Sequence, residues 1–141
     1  MRVSVCMATY NGAPYIEKQL RSILTQTRSP DEIVIVDDAS SDDTLLIIRR
    51  LADARTRIFE QKERRGIAAS FASAIAKSTG DVIFLADQDD LWRQEKIDTI
   101  LPCLASDSSV VVHDAAVIGP DDDLIFPSLF AARASRPSST S

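Results

Sequence analysis

Asp87, Asp89 and Asp90 follow without a break on Val82-Ile83-Phe84-Leu85-Ala86, the most strand-like run in the chain. Carboxylates gathered at one edge repel each other, and a hard divalent cation is the common relief, because Mg²⁺ and Mn²⁺ take oxygen ligands. Mg²⁺ typically keeps one or two protein carboxylates and completes its octahedron with water and substrate phosphates. Such an edge therefore fits a diphosphate carried with its metal. Further acids stand at Asp37, Asp38, Asp42 and Asp43, and at Asp121, Asp122 and Asp123. Asp42 and Asp43 read as turn acids or helix caps. The run after Gly119-Pro120 reads as a solvated turn.

Something must bring these groups together, and the hydrophobic pattern supplies it. Val3 to Ala8 is an apolar, β-branched run that stops at Tyr10-Asn11-Gly12, a turn signal. Pro14 then suits a first helical turn, and Ile16, Leu20, Ile23 and Leu24 share one face of a helix reaching about Gln26. Ser29-Pro30-Asp31 breaks it, and Glu32 to Val36 is a second strand closed by Asp37-Asp38. Ser41 or Asp42 caps a helix with Leu45, Ile48 and Leu51 at helical spacing, fading near Ala54. Arg57 to Gln61 is a weaker third strand. Gly66 opens an Ala-rich helix with Ile67, Phe71 and Ile75 on one face, and Gly80 closes it. After the acidic run, Trp92 to Leu104 reads as a helix facing inward through Ile97, Ile100, Leu101 and Leu104, interrupted by Pro102. Val110 to His113 reads as another strand, with Ala116-Val117-Ile118 pairing beyond it.

Strands alternating with helices of about a dozen residues imply βαβ units and a mainly parallel open sheet, an α/β fold with helices on both faces. Ligands of such sheets bind outside the carboxyl ends of the strands. Thr9-Tyr10, Asp37-Asp38 and Asp87-Gln88-Asp89 each follow a strand and so share that edge. No GxGxxG follows the first strand and no GxxxxGK[ST] loop is present, so the Rossmann and P-loop readings drop out. A phosphoacceptor receiver would carry its acidic pair after the first strand, where this chain has Thr9-Tyr10.

At 141 residues the chain suits one domain, with 45% hydrophobic and 26% charged residues. Its net charge of −5 and lack of a basic patch argue against a nucleic-acid partner. No apolar run reaches the roughly 20 residues of a membrane span, and the start lacks a signal peptide, which places the protein in the cytoplasm. Peripheral membrane contact stays compatible with this. Cys6 and Cys103 have no metal-site spacing and read as buried thiols. The expected organisation is a domain over 1–126 and a Ser/Ala/Arg/Pro-rich tail over 127–141 with little order in its last residues.

Three segments together resemble family 2 glycosyltransferases of GT-A fold: Ala8-Thr9-Tyr10-Asn11-Gly12 with the helix Gln19 to Thr27; Pro30 through Asp38 to Thr44; and Gly80 through Asp87-Gln88-Asp89-Asp90-Leu91-Trp92 to Lys96-Ile97. The resemblance spans residues 2 to about 104. The Gln-Asp-Asp-Leu-Trp variant is similar to rhamnosyltransferase-type members. It implies a Rossmann-like GT-A domain, truncated relative to the family, and a nucleoside-diphosphate sugar donor. Transfer would proceed with inversion to a glycan or lipid-linked acceptor, in cell-surface polysaccharide synthesis.

Carried over residue by residue, the resemblance puts Thr9 and Tyr10 at the base pocket, Tyr10 by stacking. Asp38, with Asp37 beside it, meets base or ribose. Asp87 meets ribose or the metal shell, and Asp89 ligates Mn²⁺ or Mg²⁺. Arg65, just before Gly66, meets the phosphates. Where family members often have Asn, this chain has Arg64 and Ser70. No residue matches the carboxylate base of inverting transfer; Asp114 is the one nearby candidate. The alternative is a truncated nucleotide-binding or interaction module without transfer activity. A homo-oligomer or a missing C-terminal partner is then the expected cover for a cut sheet.

Overall fold

The computed structural model describes residues 1–104 and 110–134, and falls into two units, Met1–Pro102 and Cys103–Ser141. The division expected at residue 126 lies inside the second unit.

In the first unit β1 (Val3–Thr9), β2 (Glu32–Asp37), β3 (Thr56–Glu60) and β4 (Val82–Ala86) form one parallel sheet in the order β3-β2-β1-β4. β1 and β2 are buried along their whole length. That is why both read as near-continuous apolar runs, since a parallel strand is covered on both faces. Val3, Val5, Met7, Ile33, Ile35, Phe84 and Ala86 form one face, packed against Ile16, Leu20 and Ile23 of α1 (Ile16–Leu24), Ile48 of α2 (Thr44–Leu51), and Trp92 and Ile97. Fully burying each of these large side chains contributes about 1.5–3 kcal/mol. Cys6, Val34 and Val36 face the other way, onto Ala74 of α3 (Ile67–Lys77). Helices thus lie on both faces, as the alternating pattern requires.

Several expectations change in detail. α3 turns Ser70 and Ala74 to the sheet, while Ile67 stays 65% exposed and Ile75 40%. Small side chains let the helix approach the strands closely, and the larger aliphatics are displaced to its flank. Lys77 at the end of α3 lies over the Phe59 ring of β3, and on β4 Ile83 and Leu85 also remain exposed. The helix expected from Trp92 begins only at Lys96: α4 (Lys96–Ile100) passes into a 3₁₀ turn, Leu101–Cys103, at Pro102. Trp92 is nevertheless buried, its ring 5.9 Å from that of Phe84.

Polar side chains of α1 and of the turn after it hold the irregular stretch before α4. Gln19 donates to the Asp87 carbonyl at 2.7 Å, Gln26 to the Arg93 carbonyl at 2.7 Å, and the Trp92 N–H donates to Ser22 Oγ at 3.1 Å. On the α3 face Glu32 is buried. It accepts bonds from Ser4, Thr79 and Arg57, which hold its carboxyl down to about 2 although burial alone pushes the other way.

In the second unit the strand expected over Val110 to His113 is absent. Val110 and Val112 are 77% and 76% exposed, and with no neighbouring strand among the described residues a β-branched run has no ladder to join. β5 (Val117–Ile118) pairs antiparallel with β6 (Leu124–Phe126), and the turn between them contains Asp121, Asp122 and Asp123, as expected of a solvated turn. α5 (Leu129–Ala134) follows, so part of the expected tail is helical; its last seven residues lie outside the described ones. Cys6 is buried as expected, whereas Cys103 is exposed. Among the described residues no helix is long and apolar enough to cross a membrane.

Candidate functional site

Strand order reverses at β1: the chain builds outward through β2 and β3, then returns to add β4 on the opposite side. The crevice at the carboxyl ends of β1 and β4 is the topological switch point, where open α/β sheets take ligands. A cleft of about 240 Å³ opens there, lined by Ala8, Thr9, Tyr10, Asp38, Arg64, Ile67, Ser70, Asp87, Gln88 and Asp89. Five sequence-nominated residues, Thr9, Tyr10, Asp38, Asp87 and Asp89, line this one cleft.

Each loop is fixed by the side chains at its start. Thr9 is buried and donates its hydroxyl to Asp37 Oδ1 at 2.8 Å. Asp37 also accepts the Ser40 hydroxyl at 2.6 Å and, on its other oxygen, the Ser40 N–H at 2.8 Å. Ala39 sits at φ 62°, a left-handed conformation that this ring of bonds sustains. Asp37 thus closes the turn after β2 and is absent from the cleft wall. Asp38 accepts the Arg65 N–H at 2.7 Å and the Gly66 N–H at 2.9 Å, one on each oxygen, at the entry to α3. Gly66 has φ 94°, which favours glycine at that entry. Asp42 acts as a turn acid, accepting bonds from Ala13 and Thr44 and tying the loop after β1 to α2, whereas the N-cap of α2 is Asp43, with no side-chain cap bond, rather than the expected Ser41 or Asp42.

The basic residue on the cleft wall is Arg64, not Arg65. Its guanidinium lies 3.9 Å from the centre of the Tyr10 ring, a cation–π stack. Arg65 contributes its backbone N–H to Asp38, and its exposed side chain does not line the cleft. Adjacent residues in an irregular loop point in different directions, and the sequence offers no signal to choose between them.

Asp87 and Asp89 stand at the end of β4. Partial burial pushes the Asp87 carboxyl above the ordinary aspartate value, and the charge of Asp89 adds to this, opposed by Lys96. Burial in turn lowers Lys96 to about 8, against the pull of Asp90 and Asp87, with its ammonium 4.0 Å from the centre of the Trp92 ring. Among the described residues no group of three or more His, Cys, Asp or Glu is placed to hold a metal. A pair of mutually repelling carboxylates still fits a hard cation that draws its remaining ligands from water and phosphate. Asp114 lies in the second unit, its oxygens taken by Ser128, Ala115 and Phe130. These bonds, the Ser128 hydroxyl foremost, lower its pKa, the opposite of what a base working near neutrality needs.

A parallel sheet with a switch-point cleft and an acidic β4 edge makes a ligand-binding open α/β domain, and its fold matches that of solved GT-A glycosyltransferases. The chain matches the family model "Glycosyl transferase family 2" over residues 4–139 and belongs to that family. It is 35% identical over 130 residues to an uncharacterized glycosyltransferase of Nostoc sp., covering 89% of this chain and 40% of that protein. It is 36% identical over 95 residues to the UDP-Glc:alpha-D-GlcNAc-diphosphoundecaprenol beta-1,3-glucosyltransferase WfaP of Escherichia coli, covering 67% of this chain and 38% of WfaP. Among solved structures, the mannosyltransferase PcManGT of Pyrobaculum calidifontis, in complex with GDP-Man and Mn²⁺, aligns with a TM-score of 0.70 at 35% identity, over 86% of this chain and 36% of that one. S. aureus TarS 1-349 in complex with UDP shares the fold, with a TM-score of 0.65 at 23% identity, over 84% of this chain and 42% of that one. The chain spans about 40% of the length of the curated relatives it matches.

Proposed function

We infer that this chain is the donor-binding part of a family 2 glycosyltransferase. It seats a nucleoside-diphosphate sugar in the β1/β4 cleft and presents the diphosphate to a Mn²⁺ or Mg²⁺ held by Asp89, with Asp87 in its shell. One observation carries the reading: Tyr10, Asp38, Arg64, Asp87 and Asp89 converge on a single cleft at the switch point of the sheet. The relatives add to it, since PcManGT was solved with GDP-Man and Mn²⁺.

In this reading the base meets the Tyr10 ring away from the face that Arg64 covers, and the positive charge of Arg64 attracts the diphosphate. Asp38 keeps spare lone pairs beyond its two backbone bonds and accepts from base or ribose. Asp37 acts through Thr9 and Ser40 as a positioning residue. A cation bound at Asp89 would supply Lewis-acid stabilisation of the charge growing on the leaving diphosphate. Sugar transfer with inversion, a hexosyl or rhamnosyl donor, a glycan or lipid-linked acceptor in polysaccharide synthesis, and a cytoplasmic setting belong to the same proposal. Asp114 fits a structural role in its turn better than that of the base.

Calorimetric titration with UDP, GDP and dTDP, each with Mn²⁺ and with EDTA, tests this. Metal-dependent binding of one nucleotide, lost in Asp89→Ala while the melting temperature holds, is the expected result. No binding of any nucleotide, or equal affinity in EDTA, contradicts it.

A further inference from the structure

Gln88, between the two site aspartates, makes a pairing that the donor-site reading does not use. The Tyr10 N–H donates to its Oε1 at 2.9 Å, and its Nε2 donates to the Tyr10 carbonyl at 3.0 Å. A primary amide is the side-chain group that offers one donor and one acceptor side by side, matching both polar groups of a single residue's backbone. The two residues are 78 apart in sequence, and each belongs to a loop of otherwise irregular backbone. The bond pair therefore joins the loop that carries the aromatic ring to the loop that carries the metal carboxylates.

Gly12 keeps the seat for this amide open. A Cβ at residue 12 would stand 2.3 Å from Gln88 Oε1 and 2.6 Å from its Cδ. Both atoms are the far end of a flexible side chain, so an alanine there is accommodated by evicting the amide from Tyr10. Gly12 has no left-handed φ, and its own N–H bond to Thr44 and carbonyl bonds from Tyr15 and Ile16 do not depend on the missing Cβ. From the other side, Gln19 of α1 is fully buried and holds the Asp87 carbonyl at 2.7 Å. The acidic loop is thus gripped at Asp87 by the helix and at Gln88 by the Tyr10 peptide.

We propose that Gln88 is a positioning residue that sets the distance between the base-binding and metal-binding loops, with Gly12 as the space it needs. This rests on the donor-site reading above. Gln88 borders the cleft, but its amide is taken up by the Tyr10 backbone, so in this role its effect passes through that backbone and the loop's conformation.

The test is a double-mutant cycle on the full chain. Dissociation constants of Mn²⁺-GDP and Mn²⁺-UDP, melting temperature and amide exchange at Tyr10 are measured for wild type, Gly12→Ala, Gln88→Leu and the pair. Gln88→Glu, which keeps the shape but loses the donor, serves as a second probe. Losing two modest hydrogen bonds corresponds to roughly tenfold weaker nucleotide binding in each single variant. Tyr10 exchange should rise in each, with little change in melting temperature. The double variant should bind no worse than Gln88→Leu, because with the amide gone no pairing to Tyr10 is left for the added methyl to break. Affinities within twofold of wild type, additive losses, or unchanged Tyr10 exchange overturn the proposal. Failure of the wild type to bind either nucleotide overturns the donor-site reading and this proposal with it, whereas binding by wild type and all variants alike overturns this proposal alone.

Discussion

The carboxylate of Asp38 holds the N–H of Gly66 at 2.9 Å, joining the end of β2 to the start of α3 across 28 residues. Its other oxygen takes the Arg65 N–H at 2.7 Å, so both oxygens hold the residues that lead into the helix beside the cleft. Charge-assisted bonds to backbone amides are about twice as strong as neutral ones. Asp38→Asn retains one acceptor and sets an amide donor against the other N–H. It should lose about 1–3 kcal/mol of stability in urea titration, and nucleotide affinity should fall with it. A variant as stable as wild type would show that the two N–H groups find other partners.

Glu32 ties stability to acid. Its pKa is lowered in the fold from 4.5 to about 2: burial opposes the shift, and the bonds from Ser4, Thr79 and Arg57 outweigh it. A depressed folded-state pKa stabilises the protein above the unfolded value, and that stability is lost as pH falls from 4.5 toward 2. The contribution is on the order of 3 kcal/mol at neutral pH. Urea midpoints taken from pH 6 down to pH 2.5 should fall steeply, and Glu32→Gln should flatten part of that slope. An equal slope in the variant removes Glu32 as its source.

Arg64 and Arg65 should behave differently despite adjacency. Arg64 lies 3.9 Å from the Tyr10 ring centre on the cleft wall, and Arg65 presents only its backbone to Asp38. Arg64→Ala should weaken binding of a nucleoside diphosphate by about tenfold, a typical loss for a charge-assisted contact. Binding of the uncharged nucleoside should change less. Arg65→Ala should stay within about twofold. The reverse ranking would return the phosphate contact to Arg65.

Ile67 and Ile75 of α3 are 65% and 40% exposed, and Ile83 and Leu85 of β4 are 38% and 55% exposed. Among the described residues β4 is also an edge strand, bonded only to β1. Open edges beside apolar patches invite pairing. The isolated 141-residue chain should self-associate at micromolar concentration in sedimentation experiments, and Leu85→Lys should reduce this by placing a charge on the edge. A monomer at every concentration would contradict the expectation.

Much of this architecture is readable in one dimension. Val3–Thr9, Glu32–Asp37 and Val82–Ala86 form strands where apolar runs end at polar turns, and burial on both faces makes such runs continuous. Once the strands are known to be parallel, their carboxyl ends share an edge, so Thr9, Tyr10, Asp38, Asp87 and Asp89 fall together without further information. Gln19 and Gln26 also left a trace, as polar residues recurring three positions after Ile16 and Ile23 on an apolar helix face.

What each side chain does at that edge was decided by tertiary structure alone. Asp37 turns to Thr9 and Ser40, and Arg64 faces the cleft while Arg65 does not. Gln88 reaches Tyr10 from 78 residues away. α3 buries Ser70 and Ala74 rather than Ile67 and Ile75, because the separation of helix and sheet selects small residues, which hydrophobicity does not rank first. Val110 and Val112 carry the composition of a strand without becoming one. Periodicity reports which way a residue faces within its own helix or strand. The direction of a loop side chain, and the partner a strand needs, depend on groups brought near only by folding, and local sequence spacing carries no record of those distances.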